Sequence, residues 1–313
     1  MSRLTTNYLG LTLENPMVPS ASPLTRQLRS CHELVEAGAP AMVMHSLFEE
    51  DVKSGEQTGQ ESNRLVDAHL NQLASLKREL GIPIIASLNG SSLDSWVDYG
   101  LQLQQAGADA LELNIYFVAA DAELSPMEVE YRYLGIIGAL KQKVDLPITV
   151  KLSAYLSAPV NMVKRCREMG ACGVVLFNRF YQPVVDLESL SVVSQIQFSS
   201  SIECAERIRW AAIIRGQVDI DIALSGGINS WQDVARSIAA GADVTHLCSL
   251  LLQQGPESLV RLRRGLLAWM DERGFDSLDD FRGVASQKRV MDPAAWERIS
   301  YLKVLDTYEQ GPS

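Results

Sequence analysis

Four times along the chain an amphipathic stretch ends in Gly-Ala and gives way to a short apolar run bounded by polar residues. The four are EAGAPAMVMHS around Gly38, QAGADALELN around Gly107, EMGACGVVLFN around Gly170 and AAGADVTHLC around Gly241. A glycine placed after a helix ends it by turning left-handed, where a Cβ would clash. A run of Val, Leu and Met without polar alternation is what a strand buried on both faces requires. Three further runs fall between these junctions: IPIIASL (82–88), LPITVKL (146–152) and IDIALSGG (220–227). MVPSAS (17–22) precedes them all. The pattern predicts strands starting near residues 17, 41, 83, 109, 147, 173, 221 and 243, separated by helices. Alternating βα units imply a parallel sheet, and eight of them imply an α/β fold closed as a (β/α)8 TIM barrel. A doubly wound open sheet is the competing arrangement.

The spacing is uneven. Extra chain follows strand two (47–64), strand four (115–130) and strand six (179–203). All three stretches leave strand C-terminal ends, the face that carries the active site in barrels. TTNYLGLTLENP alternates apolar and polar positions and predicts a hairpin closing the opposite end. After about residue 255 an apolar helix is expected over SLVRLRRGLLAWM, with a second near 277–283. No low-complexity linker interrupts the chain, so residues 1–313 read as one domain.

Composition narrows the partners. The chain has 313 residues, 47% of them hydrophobic, and a mean hydropathy of +0.01, ordinary for a globular protein. A net charge of −10 argues against nucleic acid, which needs a basic face. No apolar run approaches the ~18 residues of a membrane span, and no signal peptide is evident at the N-terminus. The five cysteines form no C-x-x-C pair, which excludes common zinc and iron–sulfur spacings and suits a reducing cytoplasm. His32, His69 and His246 are not grouped with carboxylates in any metal spacing, so no metal is expected. Asp121, Glu123, Glu128 and Glu130 read as a solvated face of a loop over the barrel mouth.

The candidate chemistry clusters at strand ends. Ser225, Gly226 and Gly227 end strand seven, and Asn229 or Ser230 is placed to cap the next helix. Cys248 and Ser249 end strand eight and open another helical stretch. Adjacent glycines let backbone N–H groups approach a phosphate, a helix N-terminus adds partial positive charge, and barrels commonly bind phosphate here. Lys151, within the apolar run ITVKL, is costly to bury without a partner, so it is either salt-bridged inside the barrel or functional. Asn114 and Asn178 end strands four and six. Each amide offers a donor and an acceptor, which suits a cyclic amide or imide substrate or, equally, a tie along the barrel rim. Ser20, Ala21 and Ser22 are small enough for a flat ring to lie against the backbone, though packing alone would also select them.

The pattern SGGI-x4-DV-x4-AAGAD-x4-CS-x5-GP resembles the C-terminal part of the dihydroorotate dehydrogenases and their dihydropyrimidine dehydrogenase relatives. ENPMVPSAS, LELN (111–114), ITVKLSAY (148–155) and LFN (176–178) resemble further segments of the family in the same order, from about residue 5 to 260. The resemblance implies an FMN-dependent oxidoreductase of the CH–CH group, such as dihydroorotate to orotate in pyrimidine biosynthesis. It places Ser20, Ala21, Ser22, Lys151, Ser225, Gly226, Gly227, Cys248 and Ser249 at the cofactor, and Asn114 and Asn178 at the substrate. Lys151 would stabilise the negative charge of the reduced flavin at its N1–C2=O edge. The family habit is a homodimer, and an external electron-transfer protein is a further implied partner.

The chain departs from the family pattern after strand four. Where the family carries a Cys or Ser general base followed by a substrate Asn, this chain has Phe117 and Ala119 within Asn114-Ile115-Tyr116-Phe117-Val118-Ala119. Phe117 cannot accept a proton. At strand two the usual Lys is His45, a residue that titrates near neutrality. His45 and Tyr116 are the remaining candidate proton carriers. Two alternatives stay open: a non-catalytic or electron-relaying flavoprotein, and a flavin-free phosphate-substrate lyase or synthase in which Lys151 forms a Schiff base.

Overall fold

Apolar residues on both faces of a strand can be satisfied only when helices cover one face and the barrel interior covers the other. That division organises this fold. The computed structural model describes residues 3–49, 61–90, 93–115, 117–179 and 182–298. A hairpin of β1 (Thr6–Tyr8) and β2 (Leu11–Leu13) comes first, then β3 (Met17–Pro19), β4 (Met42–Val43), β5 (Leu47–Phe48), β6 (Ile84–Asn89), β7 (Ala110–Asn114) and β8 (Ile148–Leu152). These are followed by β9 (Gly173–Leu176), β10 (Pro183–Asp186), β11 (Ser191–Ser194), β12 (Asp221–Ser225) and β13 (Val244–Leu247). Parallel pairing runs β3-β13-β12-β9-β8-β7-β6-β4, with β5 also beside β6. β3 and β4, at the two ends of this path, lie against one another and close the ring. The strand order runs with the chain without reversal, which is a (β/α)8 barrel and not the doubly wound sheet. Each of the eight barrel strands begins within one residue of its expected position.

The helices are α1 (Leu28–Glu36), α2 (Glu61–Leu80), α3 (Leu93–Gln105), α4 (Pro126–Lys141), α5 (Pro159–Glu168), α6 (Ser201–Arg215), α7 (Trp231–Ala240), α8 (Ser249–Gln254), α9 (Ser258–Arg273) and α10 (Ala294–Glu297). The outer strand faces, including Met42, Leu111, Leu113, Val150 and Leu224, join the helices in one buried cluster. The inner faces supply Val18, Val43, Ile85, Ala110, Val175, Ala223 and Val244 to a second cluster along the axis. The four junction glycines, Gly38, Gly107, Gly170 and Gly241, all hold φ between 93° and 118°, as the helix-ending role requires.

The N-terminal hairpin plugs the barrel. Leu9 (φ 55°) and Gly10 (φ 75°) make its two-residue turn, a geometry that needs both residues left-handed. Tyr8 is fully buried, and its hydroxyl donates to Thr149 Oγ1 at 3.1 Å inside the barrel. The Leu9 N–H donates to Asp221 at 2.6 Å, and Thr6 Oγ1 to the Asp243 carbonyl at 2.9 Å.

The tail holds α9 against α7. The expected helix near 277–283 is only a 3-10 turn, Leu278–Asp280. Its backbone is diverted: the Gly283 N–H donates to Ile238 O at 2.9 Å and the Ala285 N–H to Ala239 O at 2.8 Å, so these groups serve α7 instead of continuing a helix. Of the three long connections, the one after β9 forms the antiparallel β10–β11 hairpin with exposed Val185, Leu187, Leu190 and Val192. The one after β7 is irregular from 117 to 125 and then enters α4. Asp121, Glu123 and Glu128 are exposed as expected, whereas Glu130 is only half-exposed and pairs with Arg165. Among the described residues no helix is long and apolar enough to cross a membrane, and all five cysteines are free.

Candidate functional site

The strand register brings three polar side chains level at the C-terminal rim. Asn89 of β6 pairs in register with Asn114 of β7, and Asn114 with Lys151 of β8. Side chains alternate along a strand, so Asn114 faces inward with Glu112 and Ala110, two and four residues back. Asn178, just beyond β9, donates its Nδ2 to Asn114 Oδ1 at 2.6 Å and its backbone N–H to Leu152 O at 2.7 Å. The two amides singled out in the sequence therefore act as one unit. Among the described residues, Asn114 Nδ2 and Asn178 Oδ1 keep their hydrogen-bonding capacity free of protein partners.

Directly below lies a buried polar trio. Lys151 is 7% exposed and Glu112 fully buried, with Nζ 3.6 Å from Glu112 Oε1. His246 of β13 is also enclosed, its Nδ1 3.4 Å from Glu112 Oε2. β7 and β13 stand four places apart in the ring of eight, so this contact crosses the barrel axis. Burial pushes the His246 pKa down to about 4, against the raising influence of Glu112, while Lys151 lowers it further. At neutral pH the imidazole is therefore uncharged, and Lys151 is the cation that balances Glu112. The sequence puts His246 in no metal spacing with carboxylates and far from Glu112; the fold joins the two. The signal for Glu112 was an acidic residue in the middle of a buried strand, which is costly unless paired.

The Gly-Gly turn has its own support. Gly226 (φ 96°) and Gly227 (φ 79°) follow Ser225, which is buried. The Gly227 N–H donates to Ser199 Oγ at 3.0 Å, and Ser199 Oγ in turn donates to Ser249 Oγ at 2.9 Å. Ser199 thus ties the turn after β12 to the start of α8, beside Cys248. Ser230 caps α7 and accepts from the Asp233 N–H at 3.2 Å. The Asp233 carboxylate accepts from the N–H groups of Asn229 and Ser230, both at 3.0 Å. The first turn of α7 therefore carries its own anion. A buried cation that the sequence did not mark, Arg207 of α6, stands behind the glycine turn, 3.6 Å from the Glu203 carboxylate. Its buried guanidinium donates to Ser225 O at 2.6 Å and Glu203 O at 2.6 Å, and it lies against Gly226. Burial lowers its pKa from the ordinary guanidinium value. Nothing in the local sequence SIECAERIR marks Arg207 out from Arg209.

The remaining residues border this rim. The Ser20 N–H donates to Leu247 O at 2.8 Å, which anchors the end of β3 to β13, and Ser20 is buried. Ala21 packs on the axial cluster. The Ser22 N–H donates to Thr25 Oγ1 at 3.1 Å at the start of a 3-10 turn. His45 lies beyond β4, its ring 4.8 Å from that of His69 in an edge-on contact. Burial lowers the His45 pKa, Arg26 lowers it further and a hydrogen bond with the Thr25 backbone opposes them; burial takes His69 to about 3. Both rings are therefore neutral at pH 7. Tyr116 lies outside the described residues. Phe117 is half-buried, with the Arg132 guanidinium 4.0 Å from its ring centroid.

Comparison with known proteins identifies the family. The family model for dihydroorotate dehydrogenase matches residues 56–270, more than half of the chain. The catalytic subunit of dihydroorotate dehydrogenase B (NAD(+)) from Methanothermobacter thermautotrophicus is 25% identical over 303 residues, covering 90% of this chain and 98% of that protein. Its counterpart from Thermoplasma acidophilum is 26% identical over 309 residues, covering 91% and 99%. The NAD-dependent dihydropyrimidine dehydrogenase subunit PreA of Escherichia coli is 24% identical over 325 residues, covering 92% and 78%.

Proposed function

Because this chain belongs to the dihydroorotate dehydrogenase family, we propose that it is an FMN-dependent oxidoreductase acting on a CH–CH bond of a small ring or enoate. The observation that carries the reading is Lys151: a nearly buried ammonium, 3.6 Å from the Glu112 carboxylate and level with the joined Asn114–Asn178 pair. A lysine kept this way retains donors for a ligand. FMN, when bound, supplies the two-electron acceptor or donor. Lys151 would hold the N1–C2=O edge of its ring, and Ser20, Ala21 and Ser22 would border its flat face. Gly226, Gly227, Cys248 and Ser249 would take the phosphate, with Ser225 and Arg207 behind the turn. Asn114 and Asn178 would orient the substrate through the amide groups left free.

Purified protein tests this directly. Absorbance bands near ~450 nm would come from the bound cofactor. A colourless protein that stays colourless after incubation with FMN would sink the reading and favour the flavin-free synthase or lyase, with Lys151 as a Schiff-base lysine.

The segment after β7 constrains the substrate. A carbon-bound proton must be removed as hydride leaves, and Phe117 under the Arg132 guanidinium has no basic atom to take it. This favours as second reading a flavoprotein that relays electrons for a partner protein. His45 is the described candidate base, and its lowered pKa keeps it neutral and able to accept a proton at pH 7. Phe117→Cys is expected to raise dihydroorotate oxidation about 100-fold, the lower end of what a positioned base contributes. Anaerobic flavin reduction by dihydroorotate measures it; no gain would mean that the substrate contacts have diverged as well. A place in pyrimidine biosynthesis, cytoplasmic location and a homodimer belong to the same reading.

A further inference from the structure

Glu112 presents an unusual balance. Among the described residues, both enclosed carboxylate oxygens lack a hydrogen-bond donor, and both enclosed ring nitrogens of His246 lack a partner as well. Two basic groups thus flank one carboxylate, with Lys151 at 3.6 Å and His246 at 3.4 Å. With His246 neutral, Lys151 and Glu112 cancel and the trio carries no net charge. With His246 protonated the trio carries one positive charge. In a low-dielectric interior, an added charge nearby decides which of these states is stable.

The groups facing His246 are few. Tyr8, from the N-terminal hairpin, meets the imidazole edge-on at 6.0 Å between centroids. Burial raises the Tyr8 pKa well above the ordinary phenol value, so it stays neutral. Glu112 comes from β7, Lys151 from β8, and Cys248 lies two residues beyond His246 at the end of β13, its thiol also raised by burial. Asp221 of β12 is engaged by Leu9, and Asp243 by Arg215 and by the Ile222 N–H.

We propose that Glu112 and His246 form a proton-holding couple beneath the flavin site, in which His246 takes up a proton when the cofactor is reduced and releases it on reoxidation. This rests on the reading of an FMN site at Lys151. Reduction places negative charge at the edge that Lys151 holds. Lys151 can then no longer balance both that charge and Glu112, and a protonated His246 restores neutrality. Nearby negative charge raises the proton affinity of an imidazole. The two electrons come from the substrate or an external donor. One proton goes to the cofactor and a second, from solvent, to His246 by way of Lys151 and Glu112. Reoxidation returns both.

The sign of the pH effect is set by these charges. Without the added charge of a reduced cofactor, burial keeps His246 deprotonated above about pH 4. In the reduced protein its pKa is higher. Between the two values reduction consumes one extra proton, and above both it does not.

The test uses FMN-loaded protein labelled with ¹⁵N-histidine, in which His246 is identified among the four histidines by the signal missing from His246→Gln. Ring ¹⁵N shifts are tracked from about pH 3.5 to 8, oxidised and then photoreduced without oxygen. A proton affinity at least tenfold higher in the reduced protein is expected for His246. The midpoint potential of wild type should fall more steeply with pH than that of His246→Gln. The difference is one proton per two electrons, about 30 mV per pH unit within the window. Glu112→Gln, which removes the carboxylate, should shift that window. Equal His246 affinity in both redox states overturns the proposal; should His246→Gln fail to fold, the His246 signal is assigned in wild-type protein from its through-space contact with the Tyr8 ring, 6.0 Å away between centroids. A missing flavin band, recorded beforehand, overturns the FMN reading and the proposal with it; a normal band with an unresponsive His246 overturns the proposal alone.

Discussion

Lys151→Met is expected to slow flavin reduction by substrate about 100- to 1000-fold while FMN remains bound. A charge-stabilising group aimed at developing negative charge contributes on this order when removed. Methionine keeps the length and apolar stem of lysine and deletes only the ammonium. The phosphate turn at Gly226–Gly227 is untouched, so cofactor content should hold. Stability should suffer separately. Glu112 is fully buried and would lose its counterion, a change that typically costs about 3–5 kcal/mol. Adding Glu112→Gln should recover much of that loss and none of the rate. Anaerobic stopped-flow reduction and urea unfolding separate the two effects. An unchanged rate with full cofactor would mean that Lys151 only braces the barrel.

Gly227→Ala should be damaging in a different way. The backbone there is left-handed at φ 79°, and an added Cβ would come within 2.5 Å of Ser200 O and 2.6 Å of Cys204 N, both main-chain atoms. The conformation alone costs about 1–2 kcal/mol for a residue with a Cβ. Forcing α6 outward adds about 1–3 kcal/mol, so a total near ~3 kcal/mol is expected. The loop carrying Ser199 would move with Ser200, and the turn would lose the bond from the Gly227 N–H to Ser199. With the turn displaced, FMN affinity should drop about 100-fold, equivalent to about 2.7 kcal/mol of lost phosphate contact. Gly274→Ala is the control: it is left-handed at φ 69° and ψ 30°, and no atom lies within 4 Å of the added Cβ. It should cost only the conformational part and keep the cofactor. Equal flavin content in Gly227→Ala and Gly274→Ala would remove the turn from the phosphate site.

The site itself was partly visible in the sequence. Lys151 stood out because a lysine inside ITVKL violates the pattern of its strand, and Gly226–Gly227 only through their place at the end of strand seven, since a tight turn alone would also select two glycines. Asn114 and Asn178 were placed at the same rim by their positions after strands, and their direct bond confirms the shared level. Arg207 was invisible. It lies on a helix rich in charged residues, where a buried arginine and an exposed one read alike. Asp233 drew no role from the sequence; in the fold its carboxylate takes the N–H groups of Asn229 and Ser230 at the α7 N-terminus.

The chain by itself determined the architecture. Strand and helix periods are local, so the four Gly-Ala junctions together with the four other apolar runs suffice for the count and order of the strands. The hairpin plug came from alternation of the same kind. Only tertiary structure decided that Glu112 meets His246. Alternation tells which residues of β7 and β13 face inward, but not at what height. Strands on opposite sides of a barrel share no hydrogen bonds, so their relative level is set by the accumulated stagger of every strand between them. The tail near 277–283 shows the same limit: its sequence suits a helix, yet α7 offers carbonyls at Ile238 and Ala239 that claim its N–H groups first. Local pattern governs what can form; long-range partners decide which polar groups are satisfied, and by whom.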